Sequence, residues 1–231
     1  MADSGSEKER VAQFIALACT HPAYVKDTYH FTDRVRGQVI PQDAFLVTGD
    51  VTALYTNMDI DLTTSIIREI FAEFPSARRP DEQLLCLLEL TLRNNDFEFA
   101  GRIFLQICGI AMGKRYAPSM ANIFLRKFDK RAAYGFFIKP LLYLCFLDDI
   151  HFVWTGTRQE LSDYKNYLNT LMPGIKVNLT AHSQITEFLD VFIYKVPHGP
   201  GTAQLQTRVF FKSTDTHQLL HSSSYHPKHT T

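Results

Sequence analysis

Apolar residues recur at helical spacing over residues 62–74, where Leu62, Ile66, Ile67, Ile70, Phe71 and Phe74 form one stripe. Asp59 and Asp61 suit the start of that helix, and Pro75 stops it. A second helix opens at Pro80-Asp81-Glu82, where proline and acids suit a first turn, and carries Leu84, Leu85, Leu87, Leu88 and Leu92. A third follows Pro118, with Met120, Ile123, Phe124 and Phe128 on one face. Thr157 and Glu160 form a capping box that opens a fourth, carrying Leu161, Tyr164, Leu168 and Leu171 and closed by Pro173-Gly174. Val11 to Cys19 reads as a short apolar helix ended near His21-Pro22.

Strand-like runs alternate with these helices. Ala44 to Thr48 reads as a buried strand running into Gly49-Asp50. Residues 97–99 and 103–107, joined by Ala100-Gly101, read as a hairpin. So do the runs on either side of Asp148-Asp149, with the acid pair at the tip. Further strands are expected at 175–180, 187–196 and 204–212, with a loop at 197–201. The stretch 24–31 is aromatic but weakly patterned. Helices and hairpins in this mixture predict an α+β fold.

Composition narrows the picture. A chain of 231 residues, 45% hydrophobic and 21% charged, is long enough to bury a sizeable core, and its polar first residues, 1–20, are set apart from a single domain over 21–231. Its formal net charge of +0 excludes a surface basic throughout, so any contact with nucleic acid must use local patches. Cys19, Cys86, Cys108 and Cys145 stand far apart in apolar settings and read as reduced, buried thiols of an intracellular protein. The longest apolar run, 136–147, is interrupted by Lys139 and Pro140 and is too short to span a bilayer.

Three places carry candidate chemistry. Asp50 ends an apolar strand, and Asp148-Asp149 sit at a hairpin tip. Side chains alternate across a strand, so only a turn lets two adjacent acids approach one hard cation. Each acid alone is equally at home as an ordinary turn residue. The third place is the loop Gly109-Ile110-Ala111-Met112-Gly113-Lys114-Arg115, whose glycines permit close approach of a ligand and whose cations suit phosphates. His217, His221, His226 and His229 in the polar tail lack the acid or cysteine companions of a metal site.

In order along the chain, these blocks resemble the palm of reverse transcriptases. The wording Asp50-Val51-Thr52-Ala53-Leu54-Tyr55-Thr56-Asn57, then Gly109-Ile110-Ala111-Met112-Gly113 with Ala117-Pro118, then Leu147-Asp148-Asp149-Ile150 is similar to the Penelope-like retroelement branch. Tyr24-Val25-Lys26-Asp27-Thr28, Glu187-Phe188-Leu189-Asp190-Val191, Lys212-Ser213-Thr214-Asp215 and Ser224-Tyr225-His226-Pro227 extend the likeness over about residues 20–231.

That resemblance implies an antiparallel palm sheet backed by helices, with part of the fingers, and an RNA-directed DNA polymerase. Asp50, Asp148 and Asp149 would form the catalytic and metal site, holding two Mg²⁺ ions or Mn²⁺ in their place. Tyr55 would crowd the sugar 2′-position, and Met112, Gly113, Lys114 and Arg115 would contact the incoming deoxynucleoside triphosphate. The region 210–214 would support the primer end. The partners implied are an RNA template with a DNA primer, and no membrane. Leu147 stands where the family more often has isoleucine, and neither the N-terminal fingers, the thumb nor a GIY-YIG endonuclease is visible. Lys114, Arg115, Arg126, Lys127, Lys130, Arg131, Lys212 and Lys228 are the cations expected to hold a hybrid. The rival reading is an inactive remnant that binds nucleic acid or a protein partner.

Overall fold

The protein is seen as a computed structural model that describes residues 22–111, 113, 114 and 116–211. The N-terminal helix expected at 11–19, Met112, Arg115 and the histidine-rich tail lie outside the described residues.

In chain order the elements are α1 (Thr28–Val35), β1 (Val39–Pro41), β2 (Phe45–Val51), α2 (Leu54–Asn57), α3 (Ile60–Glu73), α4 (Asp81–Arg93), β3 (Asp96–Phe99), β4 (Arg102–Leu105) and α5 (Ala117–Tyr134). There follow β5 (Leu141–Phe146), β6 (Asp149–Trp154), α6 (Arg158–Leu168), β7 (Val177–His182), β8 (Ile185–Phe188), β9 (Val191–Gly199) and β10 (Thr202–Val209). One antiparallel sheet has the order β5-β6-β2-β7, a second β1-β10-β9-β8, and β3-β4 form a separate ribbon. The fold is α+β.

The central sheet is buried on both faces, which is why β2 and β6 read as nearly continuous apolar runs. On one face Val47, Val51, Ile150 and Phe152 pack against Ile66, Ile67, Phe124 and Phe128 of α3 and α5. Trp154 stacks on Tyr164 of α6 at 5.0 Å, and the Tyr164 hydroxyl donates to the Ala132 carbonyl at 2.8 Å. On the other face Leu46, Leu144 and Val153 meet Phe31 and Val35 of α1 and Ile193 and Leu205 of the second sheet. Each fully buried side chain of this size contributes about 1.5–3 kcal/mol, so the two cores fix the sheet from both sides.

Helix starts follow the local chemistry. The Asp59 carboxylate accepts from the Leu62 N–H at 2.6 Å, and the Thr157/Glu160 box is formed in full. The weakly patterned stretch 24–31 turns out to enter α1, capped by Asp27, which accepts from the His30 N–H at 2.7 Å. Just before it, Val25 N–H donates to the Cys145 carbonyl and Cys145 N–H to the Ala23 carbonyl, both at 2.9 Å, so this segment covers the open edge of β5.

Two expectations need correction. The strand expected over 187–196 is broken by a two-residue turn at Leu189-Asp190, giving β8 and β9. Of the four cysteines, Cys145 is buried as expected but Cys86 and Cys108 are exposed, and Cys19 lies outside the described residues. Cys86 falls on the solvent side of α4, and Cys108 on an exposed connection.

Candidate active site

Asp50 lies within β2, not after it, in Cα register with Asp149 of β6 on one side and Asn178 of β7 on the other. Residues opposite one another in an antiparallel ladder point to the same face. The β5–β6 turn consists of Leu147 and Asp148, and Val51 N–H donates to the Asp148 carbonyl at 2.9 Å, which locks the turn against the end of β2. Leu147 takes φ +52°, a conformation glycine tolerates better. Its side chain packs on the helical core, and that burial offsets a backbone cost of about 1–2 kcal/mol.

The charges follow from this geometry. Partial burial, and after it the negative Asp148 nearby, raise the Asp50 carboxyl above its ordinary value. Burial and Asp148 likewise raise the Tyr55 phenol. Asp148 thus lies near enough to both Asp50 and Tyr55 for its charge to act on them. A strand carboxylate whose ionised form is disfavoured by burial and by a neighbouring acid fits a hard divalent cation. Among the described residues no group of three His, Cys, Asp or Glu side chains is placed to hold a metal ion.

Tyr55 belongs to α2, two residues after the left-handed Ala53. Its carbonyl accepts from the Ile110 N–H at 2.7 Å. Gly109 takes φ +75°, and a methyl group there would lie 2.5 Å from the Tyr55 carbonyl oxygen. Glycine is thus required at this point, and Gly109-Ile110 is docked on the backbone of Tyr55. Gly113, at φ +85°, and Lys114 are exposed beyond that anchor.

A cleft of about 560 Å³ opens between the two sheets, lined by Asp50, Asp149 and Thr180 of the central sheet, by Glu187 of β8, and by Asp190, Phe210 and Lys26. The Thr28 hydroxyl donates to Asp190 at 3.2 Å, and Phe210 N–H donates to the Asp190 carbonyl at 2.9 Å, so the Asp190 side is tied to α1. Asp190 has a signal that periodicity misses. Phe188-Leu189-Asp190 repeats Phe146-Leu147-Asp148, and both leucines take the same positive φ, +53° and +52°.

Two cations expected to grip a hybrid are engaged elsewhere. Arg126 makes a bidentate pair with Glu73 of α3 at 2.8 and 3.0 Å, and Lys127 pairs with Glu69. Both belong to the α3/α5 surface, behind the sheet. His151, which sequence reasoning passed over, is buried between Phe31 and Phe188, and desolvation lowers its pKa to about 3.

No known family profile matches the sequence, and no curated protein resembles it. The fold does have relatives among solved structures. Apo telomerase from Candida tropicalis matches with a TM-score of 0.66 at 14% identity, over 83% of this chain and 39% of that one. Candida albicans telomerase, solved with a fragment of telomeric RNA, matches with 0.61 at 11% identity, over 80% and 38%. The RNA-dependent RNA polymerase of a human picobirnavirus matches with 0.56 at 14%, over 80% and 36%. The chain thus has the palm-and-fingers fold of reverse-transcriptase-like polymerases and spans under two-fifths of the length of these relatives. Among the described residues no helix is long and apolar enough to cross a membrane.

Proposed function

We propose that this chain is the palm and part of the fingers of an RNA-directed DNA polymerase of the Penelope-like type. The observation that carries the reading is the pairing of Asp50 with Asp148, on adjoining parts of one sheet and with Tyr55 beside them.

In this reading Asp50 and Asp148 hold two Mg²⁺ ions, and Asp149, opposite Asp50, shapes the second side of the site. Bound there, the ions would stabilise the attacking primer 3′-oxygen and the leaving pyrophosphate oxygen together. The chain's own contribution is position. The locked turn sets the distance between the acids, the Tyr55 ring limits room at the sugar 2′-carbon, and the loop through Gly113 and Lys114 meets the triphosphate with Met112 and Arg115. The RNA–DNA duplex would lie across the surface at the mouth of the cleft, recognised by backbone and groove shape more than by base sequence.

Support comes from the order of the motifs along the chain and from the polymerase fold. The test is primer extension by the purified chain on an RNA template with a DNA primer, deoxynucleotides and Mg²⁺ or Mn²⁺. Template-directed addition is expected. Failure to add any nucleotide to a hybrid that the protein demonstrably binds would refute the reading.

A further inference from the structure

The β3–β4 hairpin projects with every strand residue exposed, including Phe99 at 70% and Ile103 at 78%. A bare two-stranded ribbon is marginal in water, and an apolar surface of this kind marks a contact site. The register sorts its side chains into two unlike faces. Phe97 opposes Phe104, and Phe99 opposes Arg102, so three rings and a guanidinium share one face. Asp96 and Glu98 share the other with Leu105 and Ile103. The Phe97 and Phe104 rings lie 5.6 Å apart and only 22° from parallel.

We propose that this aromatic face is a stacking platform for unpaired nucleotides of the template strand. Bases of any sequence stack on exposed rings, and a cation among the rings meets the accompanying phosphates. The charge distribution selects the face: phosphates are attracted to the side with Arg102 and repelled from the side with Asp96 and Glu98. The platform is also continuous with the candidate active site. Gln106 N–H donates to the Asn95 carbonyl at 2.9 Å, and the Asn95 side chain donates to Gln106 Oε1 at 3.0 Å, which closes the neck of the hairpin. From that neck the chain passes directly to Gly109 and Ile110, seated on Tyr55. A strand leaving the candidate site beside Tyr55 thus has an aromatic surface one short connection away along the chain. The identity of the strand as template rests on the polymerase reading; the stacking does not.

The test compares binding of two RNA–DNA hybrids, one blunt and one with an unpaired 5′ template extension carrying 2-aminopurine. On the parent chain the extension should tighten binding, and its fluorescence should be quenched. Phe99→Ala and Arg102→Ala flank the turn and should melt like the parent, yet each should lose about fivefold or more of the affinity that the extension adds. Binding of the blunt hybrid should stay the same. Phe99→Trp should retain the gain, and Ile103→Ala, on the opposite face, should change nothing. Equal binding of the extended hybrid by parent, Phe99→Ala and Arg102→Ala would overturn the proposal. So would a dimeric parent that Phe99→Ala turns into a monomer without altering nucleic-acid binding, since the face would then belong to a second copy. Extension-dependent binding without any nucleotide addition would sink the polymerase reading and leave the platform standing. If neither hybrid binds, both fall.

Discussion

Asp50 stands directly across the ladder from Asp149, and its pKa is raised by burial and then by Asp148, in the turn one residue earlier. The site is therefore a strand acid and a turn acid brought together by the Val51 N–H bond to the Asp148 carbonyl.

Because the two carboxylates repel, removing one charge should relieve the apo protein. Asp50→Asn and Asp148→Asn are each expected to melt at or slightly above the parent temperature without divalent ions, and to lose the upward shift that Mg²⁺ gives the parent. Asp149→Asn should keep more of that shift. Differential scanning calorimetry with and without Mg²⁺ checks this, and a full Mg²⁺ response in Asp148→Asn would remove that residue from the site.

Tyr55 is half-buried beside Asp148, where in the proposed reading it would limit the space at the sugar. Tyr55→Ala should raise ribonucleotide incorporation relative to deoxynucleotide incorporation by roughly tenfold or more, since a steric clash of about 1.4 kcal/mol already amounts to a factor of ten. Single-nucleotide extension with each sugar is the readout. An unaltered preference in an active variant would refute the gate.

At Gly109 a side chain meets both a positive φ and the Tyr55 carbonyl. Gly109→Ala should cost about 1–3 kcal/mol in urea unfolding. Gly113→Ala, where nothing lies within 4 Å, meets only the backbone penalty and should cost less.

The sequence made much of this legible. The apolar periods placed α3 to α6, the capping box is formed, and Asp148 does sit in a hairpin turn, although Asp149 already belongs to β6. What periodicity missed depends on distant partners. The stretch that becomes α1 has little apolar rhythm, and its position is fixed by the Asp27 cap and the Thr28–Asp190 bond. The turn at Leu189-Asp190 interrupts an apolar run with no glycine or proline, so nothing local announces it except the repeated Phe-Leu-Asp. Arg126 and Lys127 look like free cations until α3 brings Glu73 and Glu69 beside them.

That last point is itself testable. Arg126→Gln and Lys127→Gln should leave the salt dependence of hybrid binding unchanged and cost at most about 1 kcal/mol each in stability. Lys114→Gln should reduce the slope of log affinity against log salt by about one. Equal loss of slope in all three variants would place the α5 cations on the nucleic acid after all.

Two buried groups set the acid limb of stability in opposite directions. Asp129, which accepts from the Tyr143 hydroxyl at 3.0 Å and the Cys145 thiol at 3.3 Å, has its carboxyl pushed up to about 6 by burial. The folded state thus holds this proton more tightly, and its contribution is present at low pH and lost as pH rises from about 4 to 6, by roughly 3 kcal/mol. His151, lowered to about 3, contributes above its unfolded value near 6.5 and loses that contribution as pH falls. The parent should show a shallow slope between pH 4 and 6 in urea melts. Asp129→Asn should gain stability as pH rises through that window, and His151→Phe should lose it.

The most direct test of the account is primer extension on an RNA template with Mg²⁺, run in parallel for the parent chain, Asp50→Asn and Asp148→Asn at matched hybrid occupancy. The pairing of a strand acid with a turn acid at the proposed metal site predicts nucleotide addition by the parent and a drop of about a hundredfold or more in each variant, since bound metals would supply several kcal/mol of transition-state stabilisation. Extension by Asp148→Asn at the parent's rate would contradict it.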